Sequence, residues 1–427
     1  MDTRSVVTVF LRNRGDVLLF KRSDDVGSYA GQWGAVAGHV ENRSPREAAE
    51  QEIEEEAGLE SDEIHLVRSG AAFTVEDEER ETVWEVHPFL FDADRREVET
   101  NWETAATDWV APTAILRRST VPDLWTSYRR VAASIVSIAD DTTSGSAALS
   151  TAALEVVRDR AGMLAATGNV AGEEARERLV DVAERLLAAR PSMAAVQNRV
   201  HRVMAACVPE LDAAAVEAEA HTGIARALDA DRRAAERAAD QVAGKRVLTL
   251  SRSGTVLEAL RRANPAPEVV VAESQPGREG VDVAEALAED LNDVTVCTDA
   301  AVATILSEGE VDLVLVGADT MRPSGAVVNK TGTRSAALAA AREAVPFYVA
   351  CAADKIAAEE ETRTEEGNRR AVYDGTVGLH VRNPTFDVTP ADLVTGGVVT
   401  EVRTYAPDEI SAVADEHREM AAWRDEL

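Results

Sequence analysis

Residues 38–60 read GHVENRSPREAAEQEIEEEAGLE, and this stretch decides how the first part of the chain is built. Ser44 is a suitable N-cap, Pro45 suits the first helical position, and Glu47 falls where a capping box needs it. Gly58 supplies the stop. Between these ends, the spacing of Glu52 to Glu55 and of Glu52 to Glu56 puts three carboxylates on one side of a helix. Like charges at such spacings cost roughly 0.2–0.5 kcal/mol per pair, and a divalent cation would offset that repulsion. Hard oxygen ligands suit magnesium, which keeps most of its water and also takes phosphate oxygens. The alternative is an ordinary solvated face in an acidic protein, and the helix alone leaves both readings open.

The whole chain is acidic. Its 427 residues carry 76 Asp+Glu against 45 Lys+Arg, a formal net charge of -31, and Lys21, Lys245, Lys330 and Lys355 are the lysines. That balance opposes a broad nucleic-acid footprint, which needs a basic surface. It fits a salt-rich cytoplasm, where screening relieves the self-repulsion of a carboxylate-covered surface, so a halophilic, haloarchaeal source is expected. No apolar run approaches the ~20 residues that span a bilayer, and the start MDTRSVVTVFLRNRGD shows no cleavable signal. A cytoplasmic protein with no membrane partner is expected. Cys207, Cys297 and Cys351 are scattered in apolar contexts and read as reduced core residues.

Around the glutamate helix, short strand patterns alternate with turns: VVTVFL, VLLFK, HPFLFDA and TDWVAP. The order of a hairpin, LLFKR, QWGAVAGHVE and a helix ending EIEEEAGL resembles the Nudix hydrolase family, with signature G-x5-E-x7-R-E-U-x-E-E-x-G-U. Gly38 matches the opening glycine, Glu52 the acidic residue just before the apolar one, Ile53 the apolar one, Glu55 and Glu56 the acidic pair, and Gly58-Leu59 the close. The resemblance covers roughly residues 3 to 115. It implies an α/β/α sandwich in which Glu52, Glu55 and Glu56 hold Mg2+ or Mn2+, bridge a diphosphate and activate water. Lys21 and Arg22 are candidates for phosphate contact beside Gly38. The segment after Gly38 is one residue shorter than the signature, which leaves its early glutamate without a counterpart near Ser44. Gln51 stands in the place of the signature arginine.

From about 121 to 243 the composition turns to Ala, Arg and Glu with helical periodicity, as in EEARERLVDVAERLLAA. From 244 onward strands and helices alternate: RVLTL, EVVVAE, DVTVC, DLVLVG and PFYVAC are uniformly apolar, which predicts a doubly wound parallel sheet covered on both faces. Ligands of such sheets sit beyond the carboxyl ends of the strands. Ser251, Ser253 and Gly254 lie between the first strand and a helix, Asp319 in VDLVLVGADT falls just past a strand end, and GAVVNKTGT reads as a polar loop carrying Asn329 and Lys330. Each signal alone is weak; three such loops on one sheet edge favour a phosphorylated ligand.

These stretches, with AESQPGREG, PFYVACAADKI and NPTFDVTP, resemble the family uniting translation initiation factor 2B alpha/beta/delta subunits, methylthioribose-1-phosphate isomerase and ribose-1,5-bisphosphate isomerase. The resemblance covers about 125 to 410. It implies a sugar-phosphate or nucleotide ligand and a homodimer through this part of the chain. Asp319 matches the isomerases' aspartate, whereas Ser251 takes the place of their cysteine, Gln275 that of an arginine, and Ser144-Gly145-Ser146 that of Arg-Gly-Ala. A serine hydroxyl is far less acidic than a thiol, so isomerase activity is not expected.

The chain is therefore expected to comprise a Nudix-like domain (1–118), a helical subdomain (121–243) and a Rossmann-like domain (244–427). The leading reading is a magnesium-dependent hydrolase of a nucleoside diphosphate derivative, fused to a phosphosugar- or nucleotide-binding domain. The alternatives are a non-catalytic nucleotide sensor or regulatory protein related to the initiation factor, and an aldose-phosphate isomerase.

Overall fold

The computed structural model describes residues 2–78, 80–141, 143–167, 172–361 and 366–427. Internal contacts divide the chain into two compact units: residues 1–138, 152–182 and 211–225 form one, and residues 139–151, 183–210 and 226–427 form the other. The helical region is shared between the two units.

In the first unit the long strand β1 (Asp2–Asn13) turns at Gly15 into β2 (Asp16–Arg22), followed by β3 (Trp33–Gly34) and β4 (Val36–His39). Helix α1 (Pro45–Ala57) leads to β5 (Ile64–Ser69), β6 (Phe73–Asp77), β7 (Thr82–Ala93) and β8 (Thr104–Val110). They form an eight-stranded sheet around β1, which pairs antiparallel with β2 and β4 and parallel with β7. Alternation along β1 sends Val7, Val9 and Leu11 to one face, where they pack with Ile53 and Ala57 of α1. Phe10 goes to the other face, packed with Leu124, Tyr128 and Val131 of α2 (Leu124–Val131). This is the expected sandwich, with α2 as its second cover.

The chain continues through helices α3 (Ile135–Asp140), α4 (Ser146–Thr167), α5 (Glu173–Ala189), α6 (Ala194–Cys207) and α7 (Ala213–Val242). Within the first unit, Arg12 pairs with Asp92 of β7 and Glu155 of α4. Arg158 is fully buried: it donates to the Gly15 carbonyl, to the Tyr128 hydroxyl and to Asp159.

The second unit carries β9 (Arg246–Leu250), α8 (Gly254–Arg262), β10 (Glu268–Ala272), α9 (Glu279–Ala288), β11 (Val294–Cys297), α10 (Val302–Ser307) and β12 (Leu313–Val316). There follow β13 (Thr320–Met321), β14 (Val327–Lys330), α11 (Thr333–Arg342), β15 (Phe347–Ala350), β16 (Phe386–Thr389), β17 (Gly397–Val399), β18 (Thr404–Tyr405) and α12 (Ile410–Ala421). A seven-stranded sheet runs in the order β11-β10-β9-β12-β15-β17-β18, parallel except for its last pair. Chain order reverses between β9 and β12, the switch point of a doubly wound sheet. Leu248, Val270 and Val314 face α11 and α12, whereas Val247, Val269 and Leu313 face α8 and α9, so both faces are covered. That is why these strands read as uniformly apolar.

One expectation is corrected. GAVVNKTGT is not wholly a loop, because Asn329 and Lys330 belong to β14, which sits between β13 and β16 in a three-stranded antiparallel sheet. Among the described residues no helix is long and apolar enough to cross a membrane.

Candidate functional site

Helix α1 begins as its sequence demands. The Ser44 hydroxyl accepts from the Glu47 N–H, the Glu47 carboxylate accepts from the Ser44 N–H, and Gly58 ends the helix at φ 64°. With both ends pinned, the glutamate face is held against β4. A Cβ on Gly38 would lie 1.8 Å from Glu52 Oε1, so glycine is what lets the Glu52 carboxylate rest on the strand.

Glu52, Glu55 and Glu56 line a cleft of about 560 Å3, together with Gly38 and Arg22. Burial pushes the Glu56 carboxyl up to about 8, with Glu52 and Glu103 adding to the rise and the Ala37 N–H opposing it. Glu52 is raised by burial first, then by Glu55 and Glu103. The carboxylates therefore crowd one another in a partly dry site.

Gln51 donates from Nε2 to Glu55 Oε1 at 2.5 Å, so an amide orients this carboxylate through one neutral bond where the signature has a guanidinium. The Arg22 guanidinium lines the cleft and donates to the Ser28 carbonyl. Lys21 does not share its place: strand alternation leaves it exposed and outside the cleft wall.

Sequence reasoning missed Glu41, Glu103 and Trp102, all of which line the cleft. Glu103 and Trp102 come from the loop before β8, where Asn101 donates to the Glu55 carbonyl and the Glu99 N–H donates to the Ala57 carbonyl. Trp102 is 67% exposed at the mouth. Their only sequence signal is the run NWE in a polar loop. Among the described residues no group of three or more His, Cys, Asp or Glu side chains is drawn close enough to hold a metal ion as it stands. The donor set is all carboxylate oxygen, which suits a hard divalent cation.

In the second unit Ser251, Ser253 and Asp319 lie past the carboxyl ends of parallel strands, whereas Asn329 and Lys330 sit in the antiparallel β14. Ser251 follows β9 in the left-handed region at φ 60°, and its N–H donates to Ser274 Oγ beyond β10. Ser253 caps α8, which Gly254 begins, and a Cβ on Gly317 would lie 2.5 Å from Ser253 Oγ. The loops after β9 and β12 therefore meet at the switch point. The Asp319 N–H donates to the Val328 carbonyl, Asn329 Nδ2 to Thr333 Oγ1, and Lys330 Nζ pairs with Glu279 at 2.7 Å. A residue sequence reasoning gave no role, the buried Lys355, donates to the Ala318 carbonyl beside Asp319. Ser251 and Ser253 follow β9, Asp319 lies just past β12, and Lys330 ends β14.

Comparison with known proteins agrees with both halves. Residues 1–131 match the NUDIX domain, and residues 142–407 match the Initiation factor 2 subunit family. A ribose 1,5-bisphosphate isomerase of Archaeoglobus fulgidus is 32% identical over 272 residues, covering 60% of this chain and 84% of the relative. A methylthioribose-1-phosphate isomerase of Magnetococcus marinus is 34% identical over 171 residues, 36% of this chain and 49% of the relative. The solved structure of translation initiation factor eIF-2B from Pyrococcus horikoshii OT3 superposes with a TM-score of 0.55 at 27% identity, covering 64% of this chain and 96% of that one. The chain thus belongs to the Initiation factor 2 subunit family and carries a NUDIX domain ahead of it.

Proposed function

We propose that the first unit hydrolyses a phosphoanhydride bond of a nucleoside diphosphate derivative, with Mg2+ or Mn2+ held by Glu52, Glu55 and Glu56. The NUDIX domain marks a hydrolase module. The observation that carries the finer reading is the gathering of these glutamates in one cleft, where burial first and then Glu52 and Glu103 push the Glu56 carboxyl up to about 8. A bound divalent cation supplies a compensating charge, lowers the pKa of water and polarises phosphoryl oxygen. The chain's own groups do the rest. Arg22 sets a fixed positive charge on the cleft wall against substrate phosphate, Gly38 leaves room for Glu52, and Gln51 steers Glu55. Glu52 is the proposed acceptor of the proton of the attacking water. Glu41 and Glu103 bring further carboxylates into a site whose signature lacks its early glutamate.

The test is phosphate or nucleotide release from nucleoside diphosphate compounds with magnesium or manganese, in molar potassium chloride. Glu55→Gln with Glu56→Gln should lower metal-dependent turnover by roughly 10²–10⁴. Equal turnover in the double variant removes Glu55 and Glu56 from the mechanism, and no turnover in either protein while nucleotides still bind turns the reading toward a nucleotide sensor.

A second reading concerns the second unit. Its similarity to a ribose 1,5-bisphosphate isomerase over most of that relative, and the place of Asp319 at the strand ends, favour an aldose-phosphate isomerase despite Ser251. Incubation with aldose 1-phosphates and ribose 1,5-bisphosphate, followed by NMR detection of a ketose, decides it. A ketose formed by wild type and lost in Asp319→Asn supports isomerisation; binding without conversion supports a regulatory domain. A homodimer through this unit is proposed as well, and light scattering measures it.

A further inference from the structure

Beyond the carboxyl end of β10 the chain of the second unit forms a tightly held loop that leads into Glu279. The Asp299 carboxylate accepts from the N–H groups of Ser274 and Gln275 at 2.9 and 2.7 Å, and Ser274 Oγ accepts from the Ser251 N–H beyond β9. Ser274 and Arg278 both take left-handed backbone, at φ 63° and 62°, and α9 then begins at Glu279. A Cβ on Gly280 would lie 1.9 Å from the Ala272 carbonyl oxygen, and one on Gly277 would lie 2.7 Å from the Glu279 carboxyl. The backbone therefore delivers one carboxylate to a fixed place past a strand end, on the side where ligands of doubly wound sheets bind.

That carboxylate takes the ammonium of Lys330. Glu279 Oε1 accepts from Lys330 Nζ at 2.7 Å, and with the two side chains only 24% and 22% exposed the pair is screened less than a surface ion pair. Glu279 Oε2 is buried and has no hydrogen-bond partner among the described residues, so the carboxylate depends on Lys330. A phosphate competing for this ammonium would strip a largely buried carboxylate of its cation and set a second anion beside it. A hydroxyl group meets neither penalty, because it is neutral and can donate to the carboxylate.

We propose that Glu279 is an internal anion standing on Lys330 in place of a ligand phosphate, so that the second unit selects a phosphosugar presenting a hydroxyl, not a phosphate, toward Lys330. The inference rests on the phosphosugar reading of this unit and names within it a monophosphate rather than a bisphosphate. Glu279 acts here as a specificity-determining residue.

Isothermal titration calorimetry on the full chain compares ribose 5-phosphate with ribose 1,5-bisphosphate. Wild type should bind the bisphosphate within about tenfold of the monophosphate, and Glu279→Gln, which frees the ammonium at nearly constant size, should widen the ratio in favour of the bisphosphate about tenfold further. Two more variants separate this local effect from a change of net charge. Glu279→Gln combined with Lys330→Met should restore the wild-type ratio, and Asp282→Asn, which removes an exposed charge from the same helix, should leave it unmoved. A wild type that prefers the bisphosphate beyond that bound overturns the inference, as does a ratio unmoved by Glu279→Gln, kept in the double variant or moved as far by Asp282→Asn. If wild type binds neither sugar phosphate, bisphosphate binding gained in Glu279→Gln and lost in the double variant supports the internal anion, and no gain overturns it. Binding of both sugars without ketose formation removes the isomerase and leaves these outcomes readable.

Discussion

Gly38 and Glu52 compete for one volume, so the carboxylate sits where it does because the strand offers no side chain. Gly38→Ala should therefore displace Glu52 while leaving the fold intact, since the methyl group enters a cleft rather than a core. A displacement on the order of 1 Å costs roughly 10²-fold in rate, and a kinetic assay beside a circular-dichroism melt checks that turnover falls and the melt does not. Glu56 makes a second prediction. Its carboxyl is raised in the folded state from about 4.5 to about 8, so the protonated form stabilises the fold fully below pH 4.5. That contribution is lost as pH rises toward 8, because the unfolded chain ionises first. In chelator, Glu56→Gln should gain on wild type in melting temperature across this window, and a difference independent of pH would contradict the assignment. Gly38, Glu52, Glu55 and Glu56 were legible in the sequence because a helix repeat and a motif fixed them. Glu103 and Trp102 were not, because only the fold brings a distant loop to the helix.

Helix α1 shows at the next scale how local chemistry holds a site together. Ser44 and Glu47 close a reciprocal cap, and Gly58 ends the helix where a Cβ would meet Glu99 at 2.9 Å. Ser44→Ala should remove about 1 kcal/mol of stability, read as a drop in denaturant midpoint with unchanged slope. Both ends of this helix were readable from residue types alone, as were the apolar parallel strands of the second unit. The small antiparallel sheet was not. Asn329 and Lys330 have the polarity of a loop, yet β14 pairs with β16 through Val327–Lys330 and Phe386–Thr389, partners far apart in the chain. Strand pairing of that range leaves little trace in a local pattern.

The first unit as a whole is held by groups supplied from separated segments. Arg12 meets Glu155, Arg158 meets the Gly15 carbonyl, and Arg117 pairs with Glu217. Arg158→Leu should leave Asp159 buried beside Tyr128 without its cation, costing roughly 3–5 kcal/mol. Residues 1–138 expressed alone lack Glu155, Arg158 and Glu217 together, and should show no cooperative melt in calorimetry. A sharp transition in that fragment would show that the later helices are dispensable. The units are interleaved along the chain, returning twice to the first after entering the second. A cell carrying this gene cannot adjust the supply of one without the other. Whatever the two units do, they are made, inherited and degraded in a stoichiometry of one to one.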